Sequence, residues 1–132
     1  MTKLGHALTL AAAGFWVFRL KSNSKLPYAA RWQAEATRDP ARIEELFKGK
    51  DHNIGIFTSK FGDDKALLVI DEDNKGSKKG ADTILQLDFT GNGLPTTLVQ
   101  TTPTGGKHHV YVCPRPVKQG ANVLGDGLDI RS

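Results

Sequence analysis

The stretch LLVIDEDNKG, residues 67–76, constrains the fold most, because an apolar run ends abruptly in three adjacent carboxylates, Asp71, Glu72 and Asp73. Leu67 to Ile70 has the length and branching of a buried strand. Strand side chains alternate between faces, so Asp71 and Asp73 share the face of Val69, whereas Glu72 goes with Ile70. Two carboxylates at one strand end repel each other unless water or a cation offsets the charge. Hard divalent cations such as Mg²⁺ take oxygen ligands of this kind. A solvated strand terminus accounts for the same pattern, and the motif alone does not choose between the two.

Around this strand the chain alternates between the helical period and the strand period. Leu4, Leu8 and Ala11 recur at helical spacing, Gly14 is a stop, and FWVFRL reads as a strand. KSNSKLPYA is a loop by composition. TRDPARIEELFKGK predicts a helix with Asp39 as N-cap, Pro40 in its first turn and Gly49 past its end. NIGIFT (53–58) and ALLVID (66–71) predict strands joined by SKFGDDK, and KGADTILQLDF predicts a helix. TTLVQTT and KHHVYVC then flank PTGG as two strands, and GLDIRS starts another. The expected architecture is α/β (α+β), a mixed β-sheet with flanking helices in a single domain over residues 1–132.

The chain has 132 residues and 39% hydrophobic content, enough for one modest core. Its most apolar stretch, Ala7 to Phe18, is shorter than the roughly 20 residues a spanning helix needs. Lys3 and the alanines mimic a signal peptide, but a core helix followed by a buried strand is the simpler reading. No membrane partner is expected. A lone Cys113 cannot form an internal disulfide, which favours a reducing, cytoplasmic setting. The net charge of +4 is uneven: residues 1–50 hold nine Lys or Arg against four Asp or Glu, and residues 51–132 hold nine against ten. A basic half beside an acidic centre suits a polyanion held near a cation site, although scattered lysines also make an ordinary solvated face.

Two motifs are decoys. DEDNKGSKKGAD places Asp71, Asp73, Gly76 and Asp82 at positions 1, 3, 6 and 12 of a calcium loop, but Lys75 stands where an oxygen ligand belongs, and Asp82 where a bidentate Glu is normal. TTPTGGKHHVYV is not a phosphate-binding P-loop, since Thr101 and His108 occupy its diagnostic positions. Its hydroxyl, two glycines and basic strand start could bind phosphate through backbone amides, or form an ordinary hairpin turn. His108 shares a face with Val110 and Val112, and His109 with Lys107 and Tyr111. Spacing alone does not choose between the histidines.

In order, ALTLAAAGFWVFRL, SKLP, ATRDPARI, NIGIFT, LLVIDEDNKG, LPTTLVQTTPTGGKHHVYV and NVLGDGLDIRS resemble the N-terminal domain of bifunctional DNA primase/polymerases. This is the prim-pol branch of the archaeo-eukaryotic primase superfamily, and the likeness covers nearly the whole chain. It rests on an acidic pair after a strand, a Ser-Gly-Gly-x-His segment and a later Asp-x-Arg. These fall on Asp71 and Asp73, on Thr104 to His108 with Thr for Ser, and on Asp129 with Arg131. Arg19 and Ser59 depart from a proline and a glycine often seen in the family.

The resemblance implies template-directed nucleotidyl transfer in DNA replication by a DNA primase or DNA polymerase. Asp71, Asp73 and Asp129 would hold two divalent ions, Mg²⁺ or Mn²⁺, and would form the catalytic set with His108. Thr104, Gly105, Gly106, Lys107, His108 and Arg131 would bind the nucleotide, an NTP or dNTP. Lys25 and the basic N-terminal half would hold a single-stranded or primed DNA template. A helicase domain or partner often accompanies such domains. The family pattern continues beyond Asp-x-Arg, so the chain is expected to be incomplete at its C-terminal end. The competing reading is a non-catalytic nucleic-acid or nucleotide-binding module that keeps the fold.

Overall fold

Helix α1 (Lys3–Ala12) opens on Thr2, whose hydroxyl accepts from the Gly5 amide at 3.0 Å and satisfies a donor the helix leaves unpaired. It buries Ala7 and Ala11, a small-residue stripe one turn apart, with Leu4, Leu8 and Leu10 packed at the margin. Gly14 ends it at φ +112°, where a Cβ would also lie 2.7 Å from the Phe61 ring. In this computed structural model the described residues are 2–72, 74, 80–81, 97–102, 105–121 and 128–132. They fall into two compact units, Met1–Asp64 and Lys65–Ser132.

In the first unit, β1 (Phe15–Leu20) pairs antiparallel with β2 (Asn53–Phe61), and a short helix α2 (Trp32–Glu35) and α3 (Pro40–Phe47) intervene. Asp39 caps α3 by accepting from the Ala41 amide, Pro40 occupies the first turn, and Gly49 lies beyond the end at φ +68°, as the sequence predicts. Ile43, Leu46 and Phe47 turn inward onto Ala7, Ala11 and Val17. Strand β2 is longer than predicted, running through Ser59 to Phe61, with an irregularity in its register opposite Phe15 to Val17.

Helix α2 is too short to announce itself by periodicity, and its role lies in Glu35. That carboxylate accepts from the Arg19 amide at 2.9 Å and from the Arg19 Nε at 3.0 Å. The departure from proline at position 19 thus has a structural reason: proline has no amide hydrogen to donate and no guanidinium to pair. The same guanidinium lies 4.5 Å from the centre of the Tyr28 ring.

The second unit is built on a four-stranded sheet in the order β4 (Leu98–Thr101), β5 (Lys107–Cys113), β3 (Ala66–Glu72), β6 (Leu128–Arg131). Its described pairings are antiparallel, as in the first sheet. The two sheets with their helices give the α+β class expected from the sequence. Ala66, Ile70, Leu128 and Ile130 are buried on one face, and Ser132 joins them by donating to the Leu67 carbonyl at 2.7 Å. Of the expected KGADTILQLDF helix, only residues 80 and 81 are described, and both are helical. Among the described residues no helix is long and apolar enough to cross a membrane.

Candidate active site

The register of the second sheet aligns chemistry that lies far apart in the chain. Asp71 on the central strand β3 stands opposite His108 on one side and Asp129 on the other, and His108 in turn stands opposite Gln100. Residues directly opposite in antiparallel strands project from the same face. One row therefore reads Gln100, His108, Asp71, Asp129 across four strands. His108 Nε2 lies 3.4 Å from Asp71 Oδ1, and Arg131 Nη2 lies 3.7 Å from Asp129 Oδ2. Both carboxylates and the imidazole keep partial solvent access, as a site that exchanges a ligand requires.

At the end of this row the β4–β5 connection folds back on itself. Thr102 donates its amide to the Gly106 carbonyl at 2.9 Å, and its hydroxyl accepts from the Gly106 amide at 3.0 Å. Gly105 adopts φ +83°, a conformation that costs most other residues energy. A Cβ on Gly106 would sit 2.4 Å from the Glu72 carbonyl oxygen, so the turn presses directly on the end of β3.

The model of the bifunctional DNA primase/polymerase N-terminal domain matches residues 7–132. This chain belongs to that family. No curated protein and no solved structure matches the chain. Membership implies a primase or polymerase activity, with a DNA template and nucleotides as substrates, and the second sheet of this prim-pol domain carries Asp71, His108, Asp129 and Arg131.

Of those residues, the structure brings Asp71, His108 and Asp129 into one row, with Arg131 two residues along the same strand face. Lys107 stands elsewhere: it pairs with Glu72 and so projects from the reverse face, because it is one residue out of phase with His108. The glycines also differ from a phosphate-binding amide nest. The amide of Gly105 is spent on the Thr102 carbonyl at 3.1 Å and that of Gly106 on the Thr102 hydroxyl, so both supply shape instead of free donors. Asp73 and Thr104 lie outside the described residues. Lys25 is exposed in the loop that follows β1 in the first unit.

The donor chemistry fits a hard divalent ion. Asp71 and Asp129 offer carboxylate oxygens from adjacent strands at the same level, the ligand type that Mg²⁺ and Mn²⁺ prefer. Among the described residues no group of three metal-ligating side chains forms by itself.

The reverse face holds residues whose roles the sequence did not reveal. Glu72, the middle acid, is 3% exposed, and its Oε1 lies 3.0 Å from His109 Nε2. Its Oε2 accepts from the Asn74 amide group at 2.7 Å. Asn74 also donates to the Gly105 carbonyl at 3.4 Å and accepts from the Ala81 amide at 2.7 Å. The adjacent acids Asp71 and Glu72 thus divide: Glu72 turns inward to partners while Asp71 turns out. On the same reverse face, burial pushes the Tyr111 hydroxyl pKa up. Gln100 was legible in principle, because counting outward from a hairpin closed at Thr102 and Gly106 places it opposite His108.

Proposed function

We propose that this prim-pol domain extends a DNA strand by template-directed nucleotidyl transfer, with Asp71, Asp73, Asp129 and His108 as its catalytic set. The observation that carries the reading is the cross-strand row in which Asp71 is flanked by Asp129 and His108 on one sheet face. In the reaction the primer 3′-oxygen attacks the α-phosphorus of the incoming nucleotide, a new P–O bond forms, and the bond to pyrophosphate breaks. The hydroxyl proton passes to water.

Two Mg²⁺ or Mn²⁺ ions held by Asp71, Asp73 and Asp129 would neutralise charge on the attacking oxygen and on the triphosphate. The protein's own contribution is placement. His108, standing beside Asp71, reaches toward the triphosphate from β5, and Arg131 supplies a guanidinium on the same face for a phosphate oxygen. Gly105 has nothing within 4 Å of where a Cβ would stand, which leaves room there for phosphates to approach the start of β5. Lys25 and its basic neighbours in the first unit would bind the template through phosphate charge, giving an affinity that falls as salt rises.

Primer extension with the purified chain in Mn²⁺ and in Mg²⁺ tests the reading. Product lengthening that depends on template sequence and is lost in Asp71→Asn supports it. Nucleotide or DNA binding without any extension in either metal would instead identify a binding module that has kept the fold.

A further inference from the structure

The residue that ties the site together lies outside it. Asn74 follows the acidic strand end and makes three hydrogen bonds, to the Glu72 carboxylate at 2.7 Å, to the Gly105 carbonyl at 3.4 Å and from the Ala81 amide at 2.7 Å. Glu72 is in turn buried and held from its other oxygen by His109 on β5. The same strand end meets the β4–β5 turn a second time, where Gly106 packs against the Glu72 carbonyl with no room for a Cβ. Gly106 is two residues before His108, and Glu72 is the neighbour of Asp71.

We infer that Asn74 is a positioning residue: it fastens the end of β3 to the turn that launches β5, and so fixes His108 relative to Asp71 for binding the triphosphate. The inference rests on the reading of His108 as a nucleotide contact. A carboxamide suits this task because it donates and accepts at once, and its two partners on the donor side are both acceptors. Aspartate in its place keeps the oxygen that caps Ala81 but loses both donors and sets a second carboxylate against Glu72. A residue that served only to accept from the Ala81 amide would tolerate that change.

The test measures the affinity of the full chain for a labelled dATP in Mn²⁺, together with the ring-proton shifts of His108 by NMR. Asn74→Asp is expected to weaken nucleotide binding by about fivefold or more and to move the His108 signals, an effect near that of losing one hydrogen bond. The double variant Glu72→Gln with Asn74→Asp restores the net charge and rebuilds the 72–74 link with its polarity reversed but leaves the link to the Gly105 carbonyl broken, so it should regain stability while dATP binding stays about fivefold weaker than the parent. If Asn74→Asp binds dATP as the parent does while His108→Ala does not, the positioning role is wrong and the functional reading stands. If neither variant alters binding, the reading of His108 falls and the inference with it. Should Asn74→Asp fail to fold, the double variant decides: a folded protein with about fivefold weaker binding supports the inference, and parent-like binding overturns it.

Discussion

At the scale of single residues, neighbours in the chain have opposite duties. Asp71 and Glu72 are adjacent, as are His108 and His109, yet each pair splits across the sheet, one partner to the open face and one to the buried face. We expect Asp71→Asn and Asp129→Asn each to abolish primer extension with little loss of stability, because the amide fills the same volume while removing the charge that binds a cation. Extension and thermal unfolding measured on the same preparations check this. His108→Ala should weaken triphosphate binding and extension by about tenfold or more, roughly 1.4 kcal/mol. His109→Ala should do the reverse. It strips Glu72 of a buried partner and should cost about 1–3 kcal/mol of folding stability in urea titration, with nucleotide affinity per folded molecule little changed.

At the scale of elements, what was legible followed from local rules. Helix α3 is read from Asp39, Pro40 and Gly49 because caps are short-range chemistry, and strands β3, β5 and β6 are read from branched apolar runs. The site was legible as far as alternation and family likeness reach: alternation separates Asp71 from Glu72, and the likeness picks His108 over His109. The partners of Glu72 and Asn74 were not legible, since a hydrogen bond from residue 74 to residue 105 depends on how two strands meet and leaves no period in the sequence. Helix α2 escaped notice for a similar reason, its single turn being fixed by Glu35 reaching Arg19. The turn before β5 offers the clearest test at this scale. Gly106→Ala must displace backbone, because its new Cβ would meet the Glu72 carbonyl oxygen at 2.4 Å, and both stability and nucleotide affinity should drop. Unchanged unfolding and unchanged dATP binding in that variant would mean the turn has room that the packing denies.

At the scale of the whole molecule, charge sets how the protein responds to solution conditions. Burial drives the Glu35 pKa upward, but the hydrogen bonds and charge of Arg19 outweigh it and hold the carboxyl below its ordinary value near 4.5. Burial, with Arg19 and Lys50 nearby, lowers His52 from its ordinary 6.5, and its buried Nδ1 has no hydrogen-bond partner among the described residues. Both groups have folded pKa values below the unfolded ones, so the unfolded chain takes up protons first on acidification. The stability they contribute is complete above about pH 6.5 and is lost as pH falls, the His52 part first and the Glu35 part below about 4.5. Melting temperature followed from pH 7 to pH 3 should therefore decline in two limbs, with His52→Asn removing the upper one and Glu35→Gln the lower.

The buried pair of Glu72 and His109 also works as a register lock. If β3 slipped by one residue against its neighbours, Glu72 would move out to solvent and lose its link to His109, and Asp71, one methylene shorter, would be driven in beside Leu128 and Ile130. A carboxylate in that apolar layer is costly unless its partners are as well placed as those of Glu72, which disfavours the slipped sheet. The middle acid of the cluster, which takes no part in the proposed chemistry, thereby decides which of its two neighbouring faces the chemistry can occupy.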